Sequence, residues 1–320
     1  MKTIGAKALI IVIPLVAILA LGALFVAGAS DATVPLDGRG GGVIAFCYQA
    51  LYGPPPVHRI YAINADGSGT RPLFQAPVGL NHYDWSPDGT RIAAVGYVDD
   101  HTQSIYTMAL ETSTLTRLTS TTGVLDCSPA WSPDRDLIAF SRVYPAQGQR
   151  AELWVMDSSG ANAHSIGVES YAVHWSPDGS RLLYTTAQDG NDDVYTCRPD
   201  GTDVQRVTTS PISEGMPTWS PDGRQIAFMA SADGSYGAYE IYVMDADGTN
   251  VRQLTHNTSY DGCPRWSPDG SLIAFESDLS RADHFEVYVM RPDGSDLRQV
   301  THMASNVTAV QPAWRPVTSP

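Results

Sequence analysis

The chain has 320 residues, of which 43% are hydrophobic and 17% charged, and its formal net charge is −14. The hydrophobic content excludes a disordered chain, and the acidic balance argues against nucleic acid or anionic lipid as a partner, because both are bound through cationic side chains. The only lysines are Lys2 and Lys7, so catalysis by a lysine nucleophile in the body of the chain is excluded.

The N-terminal segment predicts export from the cytoplasm. Residues 8–29 carry no charge and follow two lysines, and as a helix they would be about 33 Å long, enough to cross a bilayer core. We expect residues 1–29 to be an uncleaved signal anchor that leaves the rest of the chain extracytoplasmic and membrane-anchored. The alternative is a signal peptide cleaved after Ala29, which would give a secreted or periplasmic protein. Residues 30–42 form a polar, flexible tether.

A repeated five-residue motif follows in the body of the chain. Trp-Ser-Pro-Asp-Gly occurs at residues 85–89, 175–179, 219–223 and 266–270, while Arg135 replaces the glycine in a fifth copy that begins at Trp131, and Trp314 begins a truncated sixth. A period of about 40–50 residues indicates a solenoid, a propeller or an array. The tryptophans that we expect to pack between neighbouring units are Trp85, Trp131, Trp175, Trp219, Trp266 and Trp314.

Each repeat predicts four short strands. An apolar strand such as 225–228 follows the motif turn, an aromatic and β-branched strand such as 241–244 comes next, and a tight Asp-Gly turn leads to a fourth strand. Four strands separated by turn signals make one blade of a propeller. Because Arg135 replaces a turn glycine, we expect a strained or re-formed turn there.

The two ends of the body complement each other. Residues 43–75 contain the last three strands of a blade without its tryptophan strand, and residues 308–316 supply a tryptophan strand without its partners. We therefore predict an all-β fold, a six-bladed β-propeller of four-stranded antiparallel blades over residues 43–316. The C-terminal strand would close it by pairing with the first blade, which hides sheet edges. One hydrophobic helix precedes the propeller, and residues 317–320 form a tail.

These repeats resemble the TolB-type β-propeller unit, a WD-repeat-like unit with the Trp-Ser-Pro-Asp-Gly signature. The resemblance covers residues 43–316 and implies the propeller fold. The family includes envelope proteins that bind partner proteins, and similar propellers gate serine peptidases. This chain differs from both, because a hydrophobic segment and a tether stand where TolB has an N-terminal α/β domain, and no hydrolase domain is evident.

The sequence contains no recognisable catalytic motif. It has no Gly-x-Ser-x-Gly elbow, no phosphate-binding glycine loop and no His-Glu-x-x-His. The eight histidines show no metal-ligand spacing, although a ring could bring distant ones together, so whether the protein binds a metal stays open. The four cysteines show no disulfide framework, and we expect them to be unpaired.

One face of the predicted disk carries the variable loops between second and third strands together with the connectors between blades. Variable loops on a rigid scaffold are where binding usually resides. Aromatic and histidine side chains there are of the type enriched at binding hot spots. The predicted contacts on this variable face are Tyr48, Tyr52, His58, Tyr144, Tyr236, Tyr239 and His284.

A second candidate feature lies at the entries to the inner strands. Asp126, Glu214 and Asp261 each stand five residues before a motif tryptophan, and Glu169 stands six before Trp175. We expect these carboxylates to meet at the mouth of the central channel and to bind a basic peptide group or a cation such as Ca²⁺. The alternative is that they are turn-forming or solvated acids.

The sequence thus favours a non-enzymatic, extracytoplasmic propeller that binds a partner protein or peptide through its variable face. We expect no catalytic residue, no bound cofactor and a monomer. The alternative is a carbohydrate-active or metal-dependent lyase or hydrolase that uses Asp, Glu or His side chains at the central channel.

Overall fold

The computed structural model describes residues 38, 40–50, 59–73, 79–99, 102–231 and 239–317. The predicted anchor over residues 1–29 and most of the tether lie outside the described residues. No helix in the described ranges has the length and apolar character needed to cross a membrane. The regular elements there are strands, apart from one 3-10 turn at Pro145–Gln147. The all-β prediction is therefore confirmed.

The strands follow one another at the spacing of the repeat. The N-terminal three are β1 (Val43–Ala50), β2 (Arg59–Asn64) and β3 (Arg71–Pro72). The next eight are β4 (Leu80–Trp85), β5 (Arg91–Asp99), β6 (Thr102–Ala109), β7 (Thr114–Arg117), β8 (Leu125–Trp131), β9 (Leu137–Tyr144), β10 (Arg150–Asp157) and β11 (His164–Ser165).

The C-terminal half repeats the same pattern. Its strands are β12 (Val173–Trp175), β13 (Leu182–Thr186), β14 (Asp193–Cys197), β15 (Gln205–Arg206), β16 (Ser213–Trp219), β17 (Gln225–Ser231), β18 (Glu240–Asp245), β19 (Arg252–Gln253), β20 (Asp261–Trp266), β21 (Ile273–Ser277), β22 (Glu286–Met290), β23 (Arg298–Gln299) and β24 (Val307–Trp314).

These strands form antiparallel groups of four. We name the groups sheet A (β24-β1-β2-β3), sheet B (β4 to β7), sheet C (β8 to β11), sheet D (β12 to β15), sheet E (β16 to β19) and sheet F (β20 to β23). Sheets B and C are joined by one parallel bridge, between Gln103 and Leu125. In sheet A the C-terminal β24 pairs antiparallel with β1, from Ile44 opposite Trp314 to Ala50 opposite Val307.

The core lies between successive sheets. The tryptophan strands β4, β8, β12, β16, β20 and β24 each end at a motif tryptophan, and five of those six side chains are buried. Apolar clusters in the described residues join sheets A and B, B and C, C and D, D and E, E and F, and F and A. Each sheet therefore buries apolar side chains on both of its faces, which explains the continuous apolar runs of the second and third strands.

The motif turn owes its shape to hydrogen bonds of its own side chains. In one copy the Ser220 hydroxyl donates to Asp222 Oδ1 at 2.6 Å and accepts from the Gln225 N–H at 2.9 Å. Gly223 has φ +71°, and its N–H donates to the Ser220 carbonyl at 2.9 Å. Arg135, the one residue that replaces the glycine, does not adopt a positive φ, so the turn there is re-formed, as the sequence allowed.

Further contacts tie the C-terminal part of the chain to its beginning. Arg298 on β23 donates to the Ala65 carbonyl at 2.6 Å and to the Gly40 carbonyl at 3.3 Å. The amide of Gln311 on β24 accepts from the His82 N–H at 2.8 Å. Since these bonds join residues more than 200 positions apart in sequence, sheet A depends on both ends of the body.

We expect Trp314→Ala to destabilise the protein by about 3–5 kcal/mol, because the substitution opens a cavity between sheets F and A. Trp314 is buried, and its indole N–H donates to the Arg265 carbonyl at 3.0 Å. The matched variant Trp314→Phe keeps a ring and should lose less. Urea unfolding measures both variants, and a loss no larger than that of a surface substitution would contradict the packing of β24 described above.

We expect Gly223→Ala to cost about 1–2 kcal/mol, because an alanine in the left-handed region places its Cβ against the following carbonyl. The nearest atom to such a Cβ outside the turn is Pro177 Cδ at 3.8 Å, so the cost isolates the backbone effect. Arg135→Ala, at the equivalent position without a positive φ, is the control and should change stability by less than about 0.5 kcal/mol. Equal losses of stability in the two variants would argue against a requirement for left-handed backbone conformation at residue 223.

Candidate functional site

The inner strands carry an irregularity that shapes the centre of the molecule. In five of them the third residue before the tryptophan has a positive φ, between 37° and 56°, although none of these residues is glycine. The pairing register shifts around these positions, which marks a β-bulge, a feature common beside functional sites. The bulged residues are His82, Ser128, Met216, Cys263 and Gln311.

The bulged side chains nearly fill the space among the inner strands. They line a cavity of about 30 Å³, far smaller than a typical small-molecule pocket. His174 and Arg265 line the same cavity. The inner strands therefore leave little open space at this level.

Three ionisable residues lie just before a motif tryptophan: Asp84, His174 and Arg265. Asp84 Oδ2 accepts the Trp131 N–H at 2.7 Å. Burial raises the pKa of Asp84, while that hydrogen bond and the Arg265 charge oppose the increase. Burial, reinforced by the Arg265 charge, holds the pKa of His174 well below its ordinary value, so the imidazole is neutral at pH 7.

A larger cavity of about 220 Å³ lies at the end of the inner strands where the motif turns stand. Asp84 and His174 line it, and three consecutive Trp-Ser-Pro turns supply the walls. A carboxyl group and a neutral imidazole therefore share one hollow whose walls are formed by tryptophan and proline rings. The side chains that form these walls are Trp85, Pro87, Trp131, Pro133, Trp175 and Pro177.

Asp126, one of the four predicted carboxylates, is neutralised inside its own sheet. Its two oxygens accept from Arg142 Nε at 2.6 Å and Nη2 at 2.9 Å, and both side chains are buried. The guanidinium also lies over the Trp154 ring, 4.3 Å from its centroid. Breaking such a buried pair is costly, so its geometry is that of a structural ion pair.

Glu214 and Asp261 are also buried. Glu214 Oε1 accepts from the Ser210 hydroxyl at 2.9 Å, and Asp261 Oδ2 accepts from the Asn257 amide at 2.8 Å. Burial is the main cause that raises the pKa of each carboxyl. Neither side chain lines the two cavities at the centre.

Glu169 differs from the other three because it is half-buried. Its charge adds to the rise in the pKa of the nearby Tyr171. The four predicted carboxylates therefore have four different sets of partners in the described residues.

The predicted residues of the variable face have separate surroundings. Tyr48 is half-buried and stacks on Tyr61, with ring centroids 4.7 Å apart. The Tyr144 hydroxyl lies 3.4 Å from Glu152 Oε2, to which it donates. His284 is buried, with Nε2 3.1 Å from the Ala304 carbonyl. Tyr52, His58 and Tyr236 lie outside the described residues.

Tyr239 lies in an aromatic group that the sequence did not reveal. Its ring centroid is 5.6 Å from that of Tyr260, which in turn is 5.3 Å from that of Phe285 in an edge-to-face arrangement. Tyr239 and Phe285 are half-buried, and Tyr260 is buried beneath them. Such pairs add to the stability of the site beyond the area that they bury.

Two more residues connect this aromatic group to Glu169. Burial raises the pKa of Tyr171, and the charges of Glu169 and Asp192 add to the increase. The Asp192 charge also raises the pKa of Tyr239, after burial. We call Glu169, Tyr171, Asp192 and Tyr239 the acidic tyrosine patch; all four are half-buried. Tyr171 and Asp192 were missed because they lie on different connectors, and only their acid and aromatic character could have marked them.

The described residues contain no group of three or more His, Cys, Asp or Glu side chains arranged to hold a metal ion. Among the cysteines, Cys47 Sγ donates to the Leu80 carbonyl at 3.6 Å, and Cys127, Cys197 and Cys263 are in no disulfide. Burial is the main cause that raises the pKa of Cys47, Cys127 and Cys197 to about 12. These thiols are therefore poor nucleophiles at neutral pH.

Comparisons with known proteins agree with the repeat. The family model of the TolB beta propeller domain (PD40) matches residues 144–319. A protein TolB homolog of Chlorobium luteolum is 28% identical over 145 residues, 45% of this chain and 31% of its own length. The Tol-Pal system protein TolB of Anaeromyxobacter dehalogenans is 33% identical over 164 residues, 49% of this chain and 36% of its own length. The chain thus spans about a third of the length of these relatives.

A solved structure shows the same fold. The crystal structure of TolB from Acinetobacter baumannii superposes with a TM-score of 0.75 at 23% identity, covering 89% of this chain and 69% of that one. The predicted family resemblance is confirmed by the family model and by these relatives. The chain belongs to the TolB β-propeller domain family.

Proposed function

We propose that this chain is a non-enzymatic, closed six-bladed propeller that binds a partner protein or peptide through its variable face. Six four-stranded sheets and the pairing of β24 with β1 support the closed form. The relative named as a Tol-Pal system protein supports a protein partner.

The acidic tyrosine patch is the observation that carries this proposal. Its tyrosines come from two connectors between strands, yet the Asp192 charge raises the pKa of both. Half-buried tyrosines supply contact area at a low cost in side-chain entropy, which is why they recur at binding hot spots. Tyr239 packs against Tyr260, which packs against Phe285, and these contacts favour one orientation of the Tyr239 ring.

The patch also defines the chemistry of the partner. Glu169 and Asp192 place two carboxylates beside the tyrosine rings, in a chain whose net charge is −14. Opposite charge increases the rate and the specificity of association. The segment bound here should therefore carry Arg or Lys next to apolar side chains.

The proposed location is outside the cytoplasm. It is supported by the apolar residues 8–29 after two lysines, which we propose to be a membrane anchor, or a signal cleaved after Ala29. The tether over residues 30–42 would then hold the propeller of residues 43–316 near the membrane. We propose a monomer that needs no cofactor, with a Ca²⁺ ion at the channel mouth as the alternative.

The second candidate function is an enzyme with its site in the larger cavity. The observation in its favour is that Asp84 and the neutral imidazole of His174 share a cavity of about 220 Å³. A carboxyl and a base in one hollow can perform general acid–base chemistry. The substrate would be a glycan or a peptide small enough to enter between the three motif turns.

We expect the full-length chain, in mild detergent, to bind immobilised basic, apolar peptides more tightly than acidic peptides of equal length. Tyr239→Ala and Asp192→Asn should each weaken that binding about tenfold or more, because hot-spot residues typically contribute at least that much. Surface plasmon resonance measures the affinity, and the preference should decline as salt is added.

Glu111→Gln is the matched control, since Glu111 is exposed on the turn between β6 and β7. It should leave peptide binding unchanged. If Tyr239→Ala and Asp192→Asn bind as the wild type does, or if the chain binds acidic and basic peptides equally, the variable face is not used in this way.

The enzymatic alternative gives a separate expectation. If the chain does not turn over substrate, panels of peptides and oligosaccharides incubated with it should yield no product above a buffer blank by mass spectrometry. Product formation that is abolished in both Asp84→Asn and His174→Gln would instead establish chemistry in the larger cavity and reject the non-enzymatic proposal.

A further inference from the structure

Three consecutive sheets share a polar position at the start of the third strand. Asp193, Glu240 and Glu286 each begin the third strand of sheets D, E and F. The residue after each acid donates its N–H to a threonine hydroxyl fourteen positions further on, at 2.8–2.9 Å. The repeat thus places three acids in equivalent surroundings, and their neighbours can be compared directly.

Two of the three acids lie beside a basic group. Asp193 Oδ2 accepts from Arg206 Nη2 at 2.7 Å. Glu286 Oε1 lies 3.8 Å from His284 Nδ1, and His302 also acts on it electrostatically. A buried acid with such a neighbour has a partner for its charge.

Glu240 differs from both because it has neither neighbour: Gln253 stands where sheet D has Arg206, as Gln299 does in sheet F, and no histidine ion pair replaces the arginine in the described residues. Arg206 and Gln253 hold the same register, opposite Tyr195 and Tyr242, and both donate to a threonine carbonyl at 2.8 Å. The group that interacts with Glu240 is instead a second acid, Asp261, within hydrogen-bond reach. Two buried carboxyl groups therefore meet without a cation.

The hydrogen bonds of this pair occupy one oxygen of each carboxyl group and leave the other oxygen without a donor. The Asn257 N–H donates to Glu240 Oε1, and the Asn257 amide donates to Asp261 Oδ2, each at 2.8 Å. Glu240 Oε2 and Asp261 Oδ1 are buried and have no donor within hydrogen-bond distance in the described residues. The Thr255 hydroxyl opposes the rise in the pKa of both carboxyls, and the Ser277 hydroxyl opposes it for Asp261. Glu240 is 8% exposed and Asp261 0%, so an ionised pair would be strongly destabilised.

The other ionisable groups on the packed strands do not supply the missing charge. Tyr242 on β18 and Tyr288 on β22 interact with the pair, and burial raises the pKa of both phenols, so they stay neutral at pH 7. Arg252 on β19 and the adjacent His256 are exposed. The nearby acids bond elsewhere: Glu214 on β16 to Ser210, Glu276 on β21 to the Gln311 N–H, and Glu286 on β22 to the Met303 N–H.

We propose that Glu240 and Asp261 hold one proton between them at neutral pH, and that this proton fastens the connector 256–260 to the variable face. The proton resides on Glu240 Oε2 and is donated to Asp261 Oδ1, which satisfies both remaining oxygens. Asn257 then bridges the pair, and its own Oδ1 accepts from the Ser259 N–H at 2.7 Å. Loss of the proton to hydroxide in solution leaves two buried carboxylates that repel each other.

The connector 256–260 links this proton to the variable face. Tyr260, at its end, supports Tyr239 of the acidic tyrosine patch, so releasing the connector would disturb that patch. This consequence for binding rests on the proposed function, whereas the shared proton rests on the buried pair alone. A stability measurement therefore tests the proton even if no peptide binds.

Burial is the main cause that raises the pKa of both carboxyls, and for Glu240 the Asp261 charge adds to it. A carboxyl whose pKa in the folded state lies above its unfolded-state pKa of about 4.3 contributes its full stability at pH values below about 4.3. This contribution is lost as the pH rises through the folded-state pKa. The folded protein then holds the extra proton across the intervening window, and the unfolding equilibrium constant rises with pH, at most about tenfold per pH unit for one proton.

We expect Glu240→Gln to reduce this rise by the share of one proton, because a glutamine amide donates to Asp261 at every pH and the other buried carboxyls are unchanged. Urea unfolding of the full-length chain in mild detergent, repeated from acidic to alkaline pH, gives the slope for each variant. Glu111→Gln, an exposed control, should keep the wild-type slope. Parallel profiles for wild type and Glu240→Gln would overturn the proposal.

A second variant tests whether the effect of Glu240→Gln is only an effect on packing. Gln253→Arg recreates the arrangement of Arg206 beside Asp193, so both carboxyls can ionise and the slope should again decrease. An unchanged slope in this folded variant would count against the proton. Added CaCl₂ distinguishes a shared proton from a bound metal ion. If calcium stabilises the wild type but not Glu240→Gln, the pair is a cation site and the proposal is overturned. Equal responses of the two proteins to calcium support the proposal.

Discussion

The antiparallel pairing of Val307–Trp314 with Val43–Ala50 is the interaction on which the arrangement of sheets depends. Without β24, sheet A lacks its tryptophan strand and the apolar face of sheet F loses Trp314 as a neighbour. Bringing together residues so far apart in sequence carries a large loop-closure cost. That cost is offset by ladder bonds and by the cluster around Ile44, Phe46 and Leu272. Both ends of the body therefore contribute to the stability of sheet A.

The sequence predicted the sheets well because one residue type marked every repeat. The tryptophan spacing located each inner strand, and the structure ends β4, β8, β12, β16, β20 and β24 at those residues. The side-chain directions within these strands could not be predicted in the same way. The bulge at Ser128 adds one residue between Asp126 and Trp131, which shifts the alternation of faces. Asp126 therefore lies on the same side of β8 as Trp131, beside Arg142, rather than on the opposite side.

The candidate site was partly predictable for a different reason. Glu169 and Tyr239 were identified from loop position and residue type, and the structure places both in the acidic tyrosine patch. Tyr171 and Asp192 complete that patch from separate connectors. A single sequence predicts which residues lie on connectors. Which connectors lie close together depends on how the sheets pack, and that cannot be predicted from the strand pattern. The same limit applies to Asp84 and His174, which lie 90 residues apart and share one cavity only because sheets B and D converge at the centre.

Because the sheets repeat one pattern, the surroundings of a buried acid in one sheet can be compared with those of the equivalent acid in another. Sheets D and E differ by one basic side chain, Arg206 in β15 against Gln253 in β19, while the acid at the start of the third strand is retained. Losing a cation beside a buried carboxylate is costly unless the acid is neutralised. In sheet E the second acid, Asp261, provides that means, because two carboxyls that share a proton carry one charge where two carboxylates would carry two. Gln253 in place of an arginine therefore leaves a carboxyl pair whose charge depends on pH, next to the aromatic group of Tyr239, Tyr260 and Phe285.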